Sequence, residues 1–482
     1  MGGPNSPVIP AMTGDSWQTR PYVEEVNVLT KQLSDFLCGL CYEDLPEQAA
    51  DQAKMCMEDL VGVAIAGSSR PQGKIWHSYI SGLPQRPESA VWDGRWDALL
   101  CEHAAALNAA YAHVIDMDDV HNSSITHLGA VTIPAALAVG QKYHCSGKQV
   151  LAAIAAGYEA GARVGEAINP GSYHYWHTTG VVGSFSSAVA AGKLMDLAPK
   201  QLLNAIGSAG TQSAGLWQFI QDGAMSKTLH TANATMCGIR AAELAARGFT
   251  AAQDILGGKR GFLGAMTAEN HPEALVRGLG SVPFKIQTNS FKPYACCRHT
   301  HAANYCVELL KQRHAINPKR IMRITDYTYQ VAKDNVDAPA PATAYGFKFS
   351  VQYCITAEFL YGSLTEAEFS PERTSAPEVR QLMDRITVVV DPVLEGMYQD
   401  DHDRWPHRLE VELEDGTVLV QQVEYPFGDF NNPFQWSDTH NKFLSLTEGL
   451  VPREQAEELT RRFMGIETLE DINELFPTGP VA

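Results

Sequence analysis

The sequence lacks an apolar run of the about eighteen residues that a helix needs to cross a bilayer. The best candidate, residues 129–140, is short and contains Pro134. The sequence also lacks a cluster of lysine and arginine residues, and its net charge is −18. Proteins that bind nucleic acids usually carry a basic patch, so we expect neither a nucleic acid nor a membrane as a partner.

Several motifs of common enzyme classes are missing. There is no glycine-rich dinucleotide fingerprint, no P-loop, no His-Glu-x-x-His zinc motif and no Gly-x-Ser-x-Gly elbow. Cys38 and Cys41 are spaced as in a zinc site, but no second pair follows, so this support is weak. The N-terminal segment has neither a signal peptide's apolar core nor an arginine-rich transit pattern. We therefore expect a disordered tail over residues 1–24 and a cytoplasmic protein.

The sequence does contain enough apolar residues, 45% against 19% charged, for a large buried core. Up to about residue 280 the apolar spacing is helical and many segments are rich in alanine. After Val282, segments rich in β-branched residues appear, including a hairpin predicted at Asp415-Gly416. Helical spacing returns after Pro433. The pattern predicts a mainly α protein in which both chain ends form a helical domain and an α+β domain is inserted.

The first cluster of polar residues lies within the alanine-rich helical region. It contains Asp116, Asp118, Asp119, His121 and His127. Acidic side chains among apolar helices must be solvated, paired or functional. Three interpretations stay open: a solvated loop, a metal site built from aspartate and histidine, or catalytic groups. No spacing typical of a metal site is clear.

Two further clusters place cationic side chains beside predicted helix starts. His177 precedes a helix whose free amides and positive dipole end suit a carboxylate. Lys227 and His230 are three residues apart and share a helix face, where two cations repel unless an anion lies between them. An exposed surface turn is the alternative for this second cluster.

The stretch with the most positively charged residues lies at the boundary between the helical part and the α+β part of the sequence. Clefts form at such domain boundaries. This stretch carries Lys292, Arg298, His299 and His301. A last segment, which ends at Tyr353, places a lysine and a tyrosine in the second domain.

Taken in order, seven blocks of the sequence resemble the MmgE/PrpD family, which includes 2-methylcitrate dehydratase, cis-aconitate decarboxylase and iminodisuccinate epimerase. The blocks are residues 57–67, 116–119, 127–131, 177–183, 223–230, 292–297 and 348–350. The resemblance covers nearly all of the chain after residue 28. It implies an all-α domain over 25–285 completed by C-terminal helices over 431–482, an α+β lid over 286–430, and a homodimer with its site between helical domain and lid.

The resemblance also implies which residues form the site. The predicted catalytic residues are Asp116, His127, His177, Lys227, Lys292 and Tyr353. The predicted substrate-binding residues are Asp119, His230, Arg298 and His301. Val120 stands where some decarboxylases carry a hydroxyl residue, and Cys297 stands where some members have histidine, so the identity of the substrate stays open.

We expect a lyase that acts on a small di- or tricarboxylic acid by acid–base catalysis, without a metal or other cofactor. Lysines and Arg298 hold carboxylates, histidines exchange protons, Asp116 orients a histidine or acts as base, and Tyr353 donates a hydrogen bond or proton. Dehydration of a 2-methylcitrate-like acid comes first, cis-aconitate decarboxylation second and epimerisation of a dicarboxylate such as iminodisuccinate third. Two other classes stay open, a non-catalytic scaffold and a metal-dependent hydrolase, and the hydrolase would use Asp116, Asp119, His121 and His127.

Overall fold

The computed structural model describes residues 29–476, so the predicted tail over residues 1–24 lies outside the described residues. The first part of the chain is helical. Its helices are α1 Leu29–Gly39, α2 Glu47–Ser68, α3 Pro71–Ser81, α4 Cys101–Ala112, α5 Gly129–Lys142, α6 Gly147–Ile168, α7 Thr178–Leu194, α8 Pro199–Gly210, α9 Phe219–Asp222, α10 Lys227–Ala246 and α11 Phe262–Met266.

Helix α7 forms the centre of this helical part and is buried on nearly every face. It packs against α5, α6, α8 and α10. Small residues make this packing possible: a Cβ atom at Gly157 of α6 would lie 3.0 Å from the Ser186 carbonyl oxygen of α7. The alanine-rich sequence therefore produces closely approaching helices, and the predicted mainly α fold is confirmed.

Two short antiparallel pairings lie among the helices, and the second of them joins segments that are distant in the sequence. Strand β1 (Ser89–Ala90) pairs with β2 (Ala98–Leu99). Strand β3 (Val120–His121) pairs with β4 (Asn289–Ser290). The second pairing is important for the site, because it holds the loop after α4 beside the segment that leads into the second part of the chain.

The second part mixes helices with a four-stranded sheet. Its helices are α12 His301–Arg313, α13 Gln330–Val336, α14 Ala344–Phe347, α15 Val351–Tyr361, α16 Pro371–Thr374, α17 Pro377–Met383 and α18 Pro392–Asp400. Its strands are β5 Ile321–Thr328, β6 Ile386–Val390, β7 His407–Leu413 and β8 Val418–Val423. The strand order is β6-β5-β7-β8, with β5 and β6 parallel and the other pairs antiparallel.

The hairpin predicted at Asp415-Gly416 is confirmed, since β7 and β8 flank it and Gly416 has a φ of 82°. The chain then ends in α19 (Trp436–Thr447) and α20 (Arg453–Met464), which pack against α2. Phe443 of α19 lies directly over Gly62 of α2. Both chain ends therefore share one core. No helix among residues 29–476 has both the length and the apolarity of a membrane span.

The close contact between α7 and α10 allows a test of the packing. A methyl group at Gly238 of α10 would lie 2.4 Å from Ser187 Cβ and 2.6 Å from the Ala188 nitrogen. We expect Gly238→Ala to lower the free energy of unfolding by about 1–3 kcal/mol, the usual cost of overpacking. Thermal unfolding followed by circular dichroism measures the change.

The control is Gly396→Ala in α18, where no atom lies within 4 Å of the added methyl group. Alanine is the better helix former, so this variant should unfold at the parent temperature or slightly above it. Equal unfolding temperatures for the two variants would contradict the packing argument.

Candidate functional site

A small, largely enclosed cavity of about 20 Å³ lies where the starts of α7 and α10 meet the segment before α12. Its wall combines charged and imidazole groups with aromatic rings. The predicted site residues in this wall are Asp116, His127, His177, Lys227 and Arg298. A larger depression beside Leu29 and Asp254 has a single acidic residue in its wall and no cation.

Asp116 is the point at which three distant segments meet. It follows α4 with a φ of 60°, a left-handed conformation that is uncommon for residues other than glycine. Lys227, the first residue of α10, donates to Asp116 Oδ1 over 2.8 Å, and Lys292, just after β4, donates to the same oxygen over 2.9 Å. All three side chains are buried. The interpretation of this cluster as a solvated loop is therefore wrong.

The charges in this cluster support one another. Burial alone would raise the pKa of Asp116, but the positive charges of Lys227 and Lys292 outweigh burial and hold the pKa well below its usual value. Burial also opposes the charge of Lys292, and the carboxylate of Asp116 outweighs it, so the pKa of Lys292 is raised. The aspartate therefore stays ionised and does not act as a proton donor near neutral pH.

A second carboxylate, Asp118, holds two histidines. His113, just after α4, lies 2.7 Å from Asp118 Oδ2 through its Nδ1 atom, and His127 Nδ1 lies 3.2 Å from the same oxygen. The two imidazole rings meet edge to face with their centroids 4.9 Å apart. Burial lowers the pKa of His113 to about 4. Asp118 therefore hydrogen-bonds His113 and lies within ion-pair distance of His127, which lines the cavity.

His177 caps the N-terminus of α7 and stacks on His113, with 5.6 Å between ring centroids. Its Nδ1 atom lies 2.9 Å from His230 Nδ1, while its Nε2 atom is buried and has no hydrogen-bond partner. Burial, followed by the neighbouring charges of His230 and His113, lowers the pKa of His177 well below its usual value. The ring is therefore neutral near pH 7 and has one nitrogen free to exchange a proton.

Arg298 supplies the third cation. Its Nη2 atom donates to Asp429 Oδ2 over 2.7 Å, and its guanidinium lies 5.9 Å from the centre of the Trp405 ring. The Nε and Nη1 atoms are buried without a partner. A buried guanidinium with two unpartnered donors is suited to donate hydrogen bonds to an anion.

Besides His230, which lines a separate groove, four of the predicted residues lie outside the cavity wall. Lys292 lies behind Asp116 and not in the cavity wall. Asp119 accepts from the Tyr158 hydroxyl over 2.6 Å and from the Gly129 amide over 3.1 Å, so it anchors the start of α5. His301 packs edge to face on Tyr294. Tyr353 is the fourth.

The side chain of Tyr353 does not reach the cavity. It packs between Phe347 and Phe369, and its hydroxyl donates to the carbonyl oxygen of Glu368. Tyr173 does line the cavity, and a further tyrosine, Tyr345 on α14, lies outside the cavity wall but near the charged cluster. The buried hydroxyl of Tyr345 has no hydrogen-bond partner, and burial together with the charges of Asp116 and Asp118 raises its pKa.

The sequence prediction missed Tyr345 and His113. The sequence contains a second tyrosine, Tyr345, eight residues before Tyr353. Because the spacing between family motifs varies in the lid, Tyr345 was an alternative to Tyr353. The signal for His113 was its position one helical turn before Asp116 at the end of an apolar helix. Neither could be chosen without knowing where the loop after α4 turns.

One group of residues has the donor set of a metal site. One ligand atom each from His113, Asp118 and His127 lies within 4.8 Å of the others. The set proposed for a metal-dependent hydrolase is not assembled, however. His121 is bonded to Ser124 and Thr288, away from the cluster around Asp116.

Comparison with known proteins places the chain in a family. The model of the MmgE/PrpD N-terminal domain matches residues 31–275, about half of the chain, and the model of the MmgE/PrpD C-terminal domain matches residues 294–464. The chain belongs to the MmgE/PrpD family. It is a lyase of that family, as predicted from the sequence.

Several relatives of this MmgE/PrpD protein are identical to it at about a quarter of the aligned positions. A cis-aconitate decarboxylase from Aspergillus terreus is 26% identical over 93% of this chain and 95% of its own length. The cis-aconitate decarboxylase of Homo sapiens is 25% identical over 93% of each chain. A 2-methylcitrate dehydratase from Cupriavidus necator is 27% identical over 50% of this chain and 51% of its own length.

The buried histidines predict how stability depends on pH. Burial lowers the pKa of His113 and His121 from 6.5 to about 4. The unfolded chain therefore binds more protons below about pH 6.5, so stability is present above that value and declines as the pH falls towards 4. Urea denaturation at about pH 7.5 and pH 5 measures the loss.

A variant isolates one of these groups. His121→Gln keeps a side chain able to hydrogen-bond Ser124 and Thr288 and removes a titrating group outside the cavity. We expect its stability to fall less on acidification, by at most about 2 kcal/mol at pH 5. A pH dependence identical to that of the parent would show that burial does not hold this ring neutral.

Proposed function

We propose that this lyase removes carbon dioxide from a small unsaturated tricarboxylic acid of the cis-aconitate type, without a metal. The observation that carries the proposal is the cavity itself, in which the cations Lys227 and Arg298 face neutral imidazoles and aromatic rings. The similarity to cis-aconitate decarboxylases over nearly the whole chain supports it, because the similarity to the dehydratase covers half.

Binding is the first step of the proposed reaction. The positive charge and unpartnered donors of Arg298 attract one carboxylate, and Lys227 attracts another. Lys227 and Lys292 are both paired with the single carboxylate of Asp116, so Asp116 alone does not offset their positive charges.

Loss of carbon dioxide is the second step. A carboxylate that leaves its water shell and lies against the rings of Trp217, Phe349 and Trp405 is destabilised relative to uncharged carbon dioxide. The carbon–carbon bond breaks, carbon dioxide departs, and the electron pair spreads over the double bond towards a neighbouring carboxylate. The bound cations stabilise this developing charge.

Addition of a proton to carbon completes the reaction. The donor we assign is His177, because its Nε2 atom is buried in the cavity wall without another partner. His127, which lies within ion-pair distance of Asp118, is the second imidazole in the wall. Tyr173 is the tyrosine of the cavity wall, and we assign it the hydrogen bond to the bound anion. In this proposal Tyr173 takes the role predicted for Tyr353.

Dehydration of a 2-methylcitrate-like acid is the second candidate. A specific observation favours it: Val120 lines the cavity, so the wall is apolar where some decarboxylases carry a hydroxyl group. The neutral ring of His177 would then remove a proton from carbon, and a second acid would protonate the departing hydroxyl group.

The two candidates are separated by one experiment. The purified protein is incubated in D₂O with cis-aconitate, 2-methylcitrate or iminodisuccinate, with a chelator present, and followed by proton NMR. We expect cis-aconitate to lose carbon dioxide and give a product that carries solvent deuterium. Loss of water from 2-methylcitrate alone would favour dehydration, and no change in any of the acids would reject the proposed class of substrate.

Variants of the cavity test the assignment of roles. Lys227→Met and Arg298→Gln should each lower kcat/KM by about a hundredfold or more, because each removes a cation that stabilises developing charge. Arg277→Gln is the matched control, since this arginine is exposed and pairs with Glu273 on the surface. Unchanged circular dichroism shows that folding is intact, and turnover near the parent level in both cavity variants would remove the two cations from the mechanism.

A further inference from the structure

The contact between His177 and His230 has an uncommon form, because two imidazole Nδ1 atoms face each other over 2.9 Å. Two lone pairs in that position would repel, so a single proton lies between the two neutral rings. If His230 donates this proton, His177 carries its own proton on Nε2. If His177 donates it, its Nε2 atom is a base. The two tautomers are therefore linked.

The two rings belong to different compartments. His177 is buried and lines the enclosed cavity. His230 is only partly buried and lines a separate, open groove, together with Leu216, Asp222 and Asn233. The hydrogen bond between the rings is thus a link between the groove and the cavity.

Two glycines hold His230 in this position. Gly215 packs against the ring, since an added Cβ atom would lie 3.3 Å from His230 Nδ1, and its carbonyl oxygen accepts from the His177 amide over 3.0 Å. Gly180 of α7 lies beneath His230 Cβ in the same way. The φ of Gly215 is 149°, a conformation that residues with a side chain rarely adopt.

We propose that His230 is a proton relay that connects the solvent in the open groove with His177 in the closed cavity. This inference rests on the proposed function for its chemical step and replaces the substrate-binding role predicted for His230 from the sequence. Because His230 is outside the cavity wall, it acts through His177 and is a positioning residue.

The relay balances protons in each direction. When His177 gives its Nε2 proton to carbon, its Nδ1 atom takes the shared proton from His230, whose Nε2 atom gains one from groove water. Both rings stay neutral, and one proton has passed from solvent to product. Release of the product admits water to the cavity, and the reverse transfer restores the first pair of tautomers.

The surroundings favour neutral rings. The charged and titratable groups that face the pair are Lys227 on α10, His113 and His127 from the segment around α4 and α5, and Asp222 on the groove. Burial and then the charge of Lys227 lower the pKa of His230 to about 4. A neutral partner at neutral pH can both accept and give a proton, as the relay requires.

The first test needs no turnover. Protein labelled with ¹⁵N in histidine is compared with the His230→Phe variant, and the ring nitrogen shifts of His177 report which nitrogen carries the proton. We expect the tautomer populations of His177 to change when the partner ring is lost. The control is Asn233→Ala, which alters the groove one helical turn away and should leave these shifts unchanged. Unaltered shifts in His230→Phe would overturn the link between the tautomers.

The second test uses the acid that the enzyme converts. His230→Ala should lower kcat by on the order of 10²-fold and leave KM within about twofold, because the cavity is untouched. Added imidazole should enter the open groove and restore turnover in His230→Ala but not in His177→Ala, whose cavity is enclosed. A raised KM with unchanged kcat would instead show a substrate-binding role and reject the relay. If no acid is converted, the proposed function fails, while the NMR comparison still decides the inference.

Discussion

The buried carboxylate of Asp116 is the interaction on which the rest of the site depends. It joins the end of α4, the start of α10 and the segment after β4 through two ammonium groups that donate to it, and neither ammonium group has another described carboxylate within ion-pair distance. A buried charge is costly unless it is paired, so each of the three segments is held in place by the other two. The left-handed backbone at Asp116 is the local cost of aiming its carboxylate at both lysines.

This arrangement divides the basic side chains of the site into charged and neutral ones. The cations of the cavity wall are paired with carboxylates, Lys227 with Asp116 and Arg298 with Asp429. The imidazole of His177 is neutral because burial and nearby charged groups disfavour its charged form and lower its pKa. Binding and proton exchange thus fall to different residues within one cavity, although the protein as a whole carries a net charge of −18.

The sequence predicted those features that depend on local pattern. The hairpin at Asp415-Gly416 follows from the alternation of apolar residues and from turn chemistry. The family resemblance implied that residues of the lid and residues of the helical part meet at the site. The position of Tyr353 could not be predicted, because α15 begins at Val351 and its turn directs the ring into a core with Phe369. Sequence distance from a lysine block contains no information about that direction.

The linked histidines suggest why the cavity can remain enclosed during reaction. An enclosed site that excludes water strengthens the attraction between cations and a bound polycarboxylate, but it also removes the solvent that would otherwise supply or accept protons. A carboxylate bound beside His177 opposes the effect of burial and raises the pKa of the ring, which makes transfer of the shared proton from His230 easier once substrate is bound. Closure and proton supply are therefore compatible only if a path through the wall exists, and the contact between the two Nδ1 atoms provides one.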